Sequence, residues 1–255
     1  APDSLRYEVQ FQTAWSHYQN ERYEQAAAGF SQLANRAPQS QRGSDALFWG
    51  ADSYVQTGQY GRARQMLRRY LEQHPGGRHA VEAHYVLGWT YFKQQSYQQA
   101  AQEFQAFLDE YEGEDRTVPY RQDARLRLGD SYYALKRYDR AVEVYRGAEG
   151  EGADYALYQR GQALNFAGRP EEAVRTLQRL ADNYPNSSWR QETLYRIGYI
   201  QFQQQNYAAA REAYRSLINR YPNDRYAAQA QYGIGDTYYN AGELQRAAAA
   251  YRTVL

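Results

Sequence analysis

The sequence predicts an all-α protein, an α-solenoid of about seven helix-turn-helix repeats without strands. The main observation is an alanine that recurs at intervals of 37, 37, 41, 32, 37 and 37 residues: Ala26, Ala63, Ala100, Ala141, Ala173, Ala210 and Ala247. Twelve residues before six of these alanines stands another small residue: Ala51, Gly88, Gly129, Gly161, Gly198 and Gly235. Small residues at both places let two antiparallel helices pack at about 8–10 Å. A period near 37 residues is typical of helical repeat arrays.

The repeats are predicted to form one array over residues 1–255. Their bounds are 5–38, 44–75, 81–112, 121–148, 153–185, 190–222 and 227–255. Solenoids normally end in a polar capping helix, and the seventh repeat stops inside its second helix. We therefore expect it to be incomplete or to lack its cap. Two joints break the period, at residues 111–120 and at residues 146–154, and we expect a local change of pitch near the fourth repeat.

Glycine and proline mark the helix ends within each repeat. In the second repeat, residues 46–56 are predicted as the first helix, and Gly58 suits the left-handed position after its end. Residues 60–74 are predicted as the second helix, which Pro75 cannot extend. Pro170 fits the first turn of a helix, where a missing N–H costs nothing. The glycine recurs as Gly168 and Gly242, and the proline as Pro185.

Composition and motifs argue against several classes of function. The net charge is +1 without a basic block, so a nucleic-acid role is not indicated. No run of 18 apolar residues predicts a transmembrane segment. The absence of cysteine excludes disulfides and thiol catalysis. No catalytic or phosphate-binding motif occurs, so we expect neither enzyme activity nor a cofactor. His74, His79 and His84 are five residues apart and do not share a helical face, so no metal site is predicted.

A second stripe of side chains runs along the first helices, offset by roughly 100° from the stripe that packs on the partner helix. Its members are aromatic or acidic in most repeats. The residues predicted to contact a partner are Trp15, Phe48, Asp52, Tyr85, Trp89, Phe92, Asp130, Tyr133, Tyr195, Tyr199, Phe202 and Asp236. A dry seam would leave the carboxylates unpaired at a cost of several kcal/mol, so we expect them to face water or pair with arginine. The alternative is that the aromatic residues only fill seams between repeats.

These small, aromatic, alanine and proline positions resemble the tetratricopeptide repeat over nearly the whole chain. The family's frequent Trp near the start of the first helix is absent. The segments at residues 183–187 (NYPNS) and 220–224 (RYPND) are similar to those of bacterial cell-envelope members, such as the Tol-Pal-associated coordinator and the outer-membrane-assembly lipoprotein. The resemblance implies a right-handed superhelix whose first helices line a concave surface.

The sequence therefore favours a non-catalytic scaffold, periplasmic or associated with the outer membrane, or alternatively cytoplasmic. Its groove suits a peptide or helix that carries apolar and basic residues. One alternative is a module that binds glycans, such as peptidoglycan, through Trp89 and Tyr199. Another is a regulatory repeat region of a larger protein. The chain begins without methionine, which is expected of a trimmed product, and the oligomeric state stays open.

Overall fold

The computed structural model describes residues 2–110, 118–148 and 150–254, which form two compact units with a boundary between residues 135 and 136. The N-terminal unit contains seven helices. They are α1 (Pro2–Gln19), α2 (Tyr23–Arg36), α3 (Gln41–Gln56), α4 (Tyr60–Gln73), α5 (Ala80–Lys93), α6 (Tyr97–Glu110) and α7 (Val118–Ala134). Each of these helices packs against the next along the chain. The predicted joint at residues 111–120 falls largely outside the described residues.

The C-terminal unit contains seven further helices. They are α8 (Tyr138–Arg146), α9 (Ala153–Phe166), α10 (Pro170–Asn183), α11 (Arg190–Gln203), α12 (Tyr207–Arg220), α13 (Arg225–Asn240) and α14 (Leu244–Arg252). No strand occurs among the residues that the structure describes. The all-α prediction is therefore confirmed. The second joint holds the left-handed residues Gly150 and Gly152, and the helix before it ends at Arg146.

The alanines that define the period form the centre of each helix pair. All seven are at most 2% exposed. The glycine of the first helix faces a large side chain of the second. A Cβ atom on Gly88 would lie 2.8 Å from the ring of Phe104, and one on Gly198 would lie 2.5 Å from the ring of Tyr214. The small residues thus leave room for these side chains, which confirms the predicted helix-pair interface.

The turn inside every repeat contains one residue in the left-handed conformation, five residues before the recurring alanine. Three of these residues are the glycines expected from the sequence, Gly58, Gly168 and Gly242, with φ between 71° and 78°. The other four are not glycine, but their φ angles are between 57° and 60°: Glu21, Gln95, Lys136 and Gln205. The turn geometry therefore recurs even where the residue is unfavourable for it.

Helix α3 begins earlier than the sequence indicated. We expected it to start at Ala46, but it starts at Gln41. The reason is an N-cap: the side chain of Ser40 accepts a hydrogen bond of 3.0 Å from the backbone N–H of Gly43. Such a cap satisfies an otherwise unpaired helical N–H group. The added turn brings Arg42 and Asp45 onto the helix.

Candidate functional site

The first helices of the N-terminal unit line a groove of about 720 Å³, which we call the inner groove. Six of its side chains come from α1 and α3: Trp15, Tyr18, Phe48, Trp49, Asp52 and Gln56. The others follow in the next two repeats: His79, Glu82, Tyr85, Val86, Phe107 and Tyr120. The structure thus brings four of the predicted residues, Trp15, Phe48, Asp52 and Tyr85, into one wall.

Three aromatic rings form the most compact part of this wall. The rings of Trp15 and Trp49 meet edge to face, with centroids 4.6 Å apart, and Tyr18 stacks on Trp15 at 5.3 Å. Both tryptophans are only half-buried, and neither indole N–H donates a hydrogen bond to a residue that the structure describes. The groove therefore offers aromatic faces and two hydrogen-bond donors to a ligand.

In five repeats the aromatic residue that opens the stripe contacts a residue of the next repeat. Phe48 is only 7% exposed, and the ring of His79, from the next repeat, stacks on it at 4.4 Å. In four other repeats the corresponding ring is also contacted by a residue further along the chain, although the type of that residue differs: Arg42 on Phe11, Tyr120 on Tyr85, Trp189 on Tyr158 and Tyr226 on Tyr195. At this position the structure favours packing between repeats, the alternative left open by the sequence.

The three acidic residues of the stripe are hydrogen-bonded, and among the residues that the structure describes one of the three pairs with arginine. Asp130 pairs with Arg127, as the sequence led us to expect. Asp52 instead accepts a hydrogen bond of 2.5 Å from the hydroxyl of Tyr18, and Asp236 accepts one of 2.7 Å from Tyr251. Burial, together with the bond to Asp52, raises the pKa of Tyr18 above its usual value. The phenols satisfy these carboxylates without neutralising their charge.

Trp89 and Phe92 lie beside the inner groove but contact the chain's own residues. The indole N–H of Trp89 donates to Asp123 at 2.9 Å, and the guanidinium of Arg127 lies 5.3 Å from the ring centroid. Arg127 also lies 5.7 Å from the ring of Phe92. Tyr133, on the same helix as Arg127, is half-buried. The polar group of Trp89 is therefore already paired within the protein.

A smaller pocket of about 360 Å³ shares Trp15, Trp49, His79 and Glu82 with the inner groove and adds two arginines. Arg42 pairs with Glu8 at 2.6 Å, and Arg78 pairs with Asp45 at 2.7 Å. Asp45 is fully buried. The two cations are thus matched by two carboxylates, and this pocket carries no net excess of positive charge.

The equivalent stripe of the C-terminal unit is tied into a hydrogen-bonded network. The hydroxyl of Tyr158 donates to Glu192 at 2.6 Å, and Arg196 pairs with the same carboxylate at 3.1 Å. Burial disfavours the charged form of Glu192, but hydrogen bonds from Tyr158, Tyr226 and Arg196 outweigh it and lower its pKa. The network leaves Glu192 with satisfied hydrogen bonds.

The predicted aromatic residues of this unit differ in exposure. Tyr195 and Phe202 pack at the edge of the core around Tyr214, whereas Tyr199 is 37% exposed. Tyr195 stacks on Tyr199 with centroids 6.4 Å apart. These residues line none of the pockets described above.

Sequence reasoning missed Trp49, His79 and Glu82, which lie in the groove wall. The stripe was traced through residues four and three apart, and these three side chains stand outside it. A signal for Glu82 does exist in the sequence. An acid stands at the same repeat position in five repeats: Glu8, Asp45, Glu82, Asp123 and Glu192.

Among residues 2–110, 118–148 and 150–254, no group of three or more histidine or acidic side chains could hold a metal ion. Within the same described ranges, no helix has the length and apolar character needed to cross a membrane.

Comparison with known proteins gives a family and a fold. A family profile described as the tetratricopeptide repeat matches residues 11–77, 50–115 and 114–156, and a second one of that description matches residues 155–187, 192–224 and 229–255. No curated protein matches the sequence.

Several solved structures are similar to the chain. The C-terminal part of a TPR repeat-containing protein from Cytophaga hutchinsonii has a TM-score of 0.70 at 18% identity, covering 96% of this chain and 94% of that one. YrrB, described as a TPR protein with an unusual peptide-binding site, has a TM-score of 0.61 at 20% identity, covering 80% and 98%. MamA (AMB-1) has a TM-score of 0.59 at 24% identity, covering 72% and 95%. At these identities the likeness establishes the fold.

Proposed function

Because the chain belongs to the tetratricopeptide repeat family, we propose that it is a non-catalytic scaffold that binds an extended protein segment in the inner groove. The observation that carries this proposal is the half-buried pair Trp15 and Trp49, whose indole N–H groups donate to no other described residue. Aromatic anchors dominate the binding energy of protein interfaces. The N–H groups are suited to backbone carbonyl oxygens of a bound segment.

The chemistry of the groove favours a segment with apolar and basic side chains. The rings of Trp15, Trp49 and Tyr85 offer apolar contact, and the carboxylates of Asp52 and Glu82 stand in the same wall. Such carboxylates attract cations and suppress the binding of acidic partners. This charge also separates the proposal from glycan binding, because a neutral sugar can donate hydroxyl hydrogen bonds to the carboxylates but brings no cation to match their charge.

The proposed location is the bacterial cell envelope. This proposal does not depend on the oligomeric state. Its support is the likeness of the NYPNS and RYPND segments, at residues 183–187 and 220–224, to those of envelope members of the family. Fractionation of the native organism with an antibody to this chain tests it. Recovery in the periplasmic or outer-membrane fraction is expected, and recovery with cytosolic markers alone would reject this location.

Binding is tested with peptides selected on the purified protein from a library of random dodecapeptides. Trp49→Ala should weaken the binding of selected peptides tenfold or more, which is the usual loss at an interface hot spot. Trp189→Ala is the matched control, because Trp189 is also half-buried and also contacts an aromatic ring, but lies in the C-terminal unit. It should leave the affinity unchanged. Circular dichroism establishes that both variants are folded at the temperature of the assay.

Two outcomes would overturn the proposal. If both tryptophan variants bind the peptides as the wild type does, the inner groove is not the binding site. If oligomers of N-acetylglucosamine bind with an affinity that depends on Trp49, while no peptide is selected, the groove is a glycan site.

A further inference from the structure

Five repeats carry an acid at one shared position in the first turns of the first helix, which we call the inner acid. These residues are Glu8, Asp45, Glu82, Asp123 and Glu192. In four of the five, the acid pairs with an aromatic residue or an arginine of the preceding or following repeat. Because the backbone environment repeats, a difference among the five points to a difference in what each carboxylate binds.

Two inner acids are paired by the aromatic residues of the preceding repeat. Asp123 accepts hydrogen bonds of 2.9 Å from both the hydroxyl of Tyr85 and the indole of Trp89. Glu192 accepts one of 2.6 Å from Tyr158. In both cases an arginine four residues further along the same helix also pairs with the acid, at 3.2 Å for Asp123 and 3.1 Å for Glu192.

Two other inner acids pair with arginines, and each also accepts a hydrogen bond from a glutamine four residues away, Gln12 for Glu8 and Gln41 for Asp45. Glu8 binds Arg42, whose guanidinium also lies 4.6 Å from the ring centroid of Phe11. Asp45 binds Arg42 and Arg78. Arg42 therefore lies between a ring and a carboxylate, as Arg127 does between Trp89 and Asp123. The protein uses the same combination of ring, guanidinium and acid more than once.

Glu82 alone has no hydrogen bond or ion pair with any residue that the structure describes. The reason is in the neighbouring positions. The preceding repeat holds Phe48 and Asp52 where Tyr85 and Trp89 would donate to the acid, and Val86 stands where the helix would supply the arginine. Glu82 is half-buried and lies in the wall that contains Trp15 and Trp49. The rings and the acid are present, but Arg42 and Arg78 nearby are paired with Glu8 and Asp45, and no guanidinium of the described residues pairs with Glu82.

We infer that the partner supplies this guanidinium: an arginine side chain of the bound segment lies against Trp15 and Trp49 and pairs with Glu82. The inference rests on the proposed function and specifies one residue of the partner. A guanidinium stacks on indole and forms a fork of two hydrogen bonds to a carboxylate, which an ammonium group cannot reproduce. Asp52 adds a second negative charge to the same groove.

The inference is tested on the selected dodecapeptides, which should be enriched in arginine. Replacing that arginine by citrulline keeps the shape and removes the charge, and we expect binding to the wild type to weaken about tenfold or more, as for loss of a charge-assisted bidentate pair. Glu82→Gln should weaken the binding of the arginine peptide by a similar factor and leave the binding of the citrulline peptide unchanged. Glu72→Gln, which removes one exposed charge of the same unit, is the matched control and should behave as the wild type.

A second variant tests the same site in the opposite direction. Val86→Arg places an arginine four residues after Glu82, the arrangement seen between Asp123 and Arg127. The new side chain should pair with Glu82 from within the helix. It should weaken the binding of the arginine peptide about tenfold, because the carboxylate that the peptide needs is then already paired.

The outcomes separate the two proposals. One outcome would overturn the arginine inference alone: Trp49→Ala weakens the binding of the peptides, but Glu82→Gln weakens the binding of the arginine and citrulline peptides equally or affects neither. The groove then binds proteins, and the arginine inference is wrong. Selected peptides without enriched arginine would also overturn it. If Trp49→Ala has no effect, the proposed function itself fails.

Discussion

The inner acid of the third repeat and that of the sixth occupy the same position in two different environments. In the C-terminal unit, Glu192 receives hydrogen bonds from Tyr158 and Arg196. In the N-terminal unit, Glu82 receives none from a described residue and faces a groove of about 720 Å³. The difference teaches that one repeat position can serve stability in one unit and remain available to a ligand in the other.

The comparison requires that the helix-pair frame is the same in both units, and the largest expected effect tests this. Gly88→Leu in the N-terminal unit and Gly198→Leu in the C-terminal unit should each lower the free energy of unfolding by about 3 kcal/mol, the upper part of the range for overpacking. Their Cβ atoms would lie 2.8 and 2.5 Å from the rings of Phe104 and Tyr214. Urea denaturation measures both.

The control for these substitutions is Gly61→Ala. A Cβ atom on Gly61, inside α4, would have no neighbour within 4 Å. The change should be neutral or stabilise the protein by up to about 1 kcal/mol, the difference in helix propensity. If Gly198→Leu behaved like this control, or if the two leucine variants differed widely, the assumption of a common frame would be wrong.

The left-handed turn gives a smaller effect that should also be equal in the two units. Gln95→Gly and Gln205→Gly should each raise the free energy of unfolding by about 0.5 kcal/mol, because relief of the left-handed conformation exceeds the entropy cost of glycine. Gly58→Ala should lower it by about 1 kcal/mol, since no atom lies within 4 Å of the new Cβ and only the backbone conformation is penalised. Thermal denaturation in one buffer checks the three variants, and a stabilising Gly58→Ala would contradict this account of the turn.

The smallest effect is a response to pH that should distinguish the units, because all four histidines lie in the N-terminal one. The hydrogen bond between His84 and Glu103 raises the pKa of His84. A raised folded-state pKa gives stability that is complete below the unfolded value of about 6.5 and is lost as the pH rises through the folded value. The midpoint temperature of thermal unfolding should therefore decrease as the pH is raised from 5.5 to 8.5.

Glu103→Gln isolates this contribution. The variant keeps the shape of the side chain but removes the charge that favours protonated His84. Its unfolding midpoint should change less with pH over the same interval than that of the wild type. An unaltered dependence on pH would show that the pair of His84 and Glu103 does not contribute.

Much of the fold was predictable because it depends on local spacing. The recurring alanines, Gly88 and Gly198 at the helix contacts, and Gly58 at the turn all follow from sterics that the sequence displays directly. The left-handed Gln95 and Gln205 could not be predicted, because the surrounding helices impose the turn and override the preference of the residue. The earlier start of α3 could not be predicted from the repeat spacing, because it depends on the local cap at Ser40.

The groove was predictable only in part, because it depends on pairing between repeats. The stripe located Trp15, Asp52 and Tyr85, but its spacing could not show which side chains bind one another. The phenol of Tyr18 satisfies Asp52, a pairing across 34 residues. Glu82 was missed because its distinguishing property is the absence of partners that its counterparts have, which becomes visible only when their contacts are compared.

The most direct test of the account compares Glu82→Gln with Glu192→Gln by urea denaturation. Both acids lie in the first turn of a helix, so loss of the interaction with the helix dipole is common to the two variants. The remaining difference reports their partners. We expect Glu192→Gln to lower the free energy of unfolding by about 1–2 kcal/mol more than Glu82→Gln, because it weakens hydrogen bonds to a charged acceptor and leaves Arg196 unneutralised. Equal losses would show that Glu82 is as fully engaged within the protein as Glu192, and would contradict its assignment to a partner.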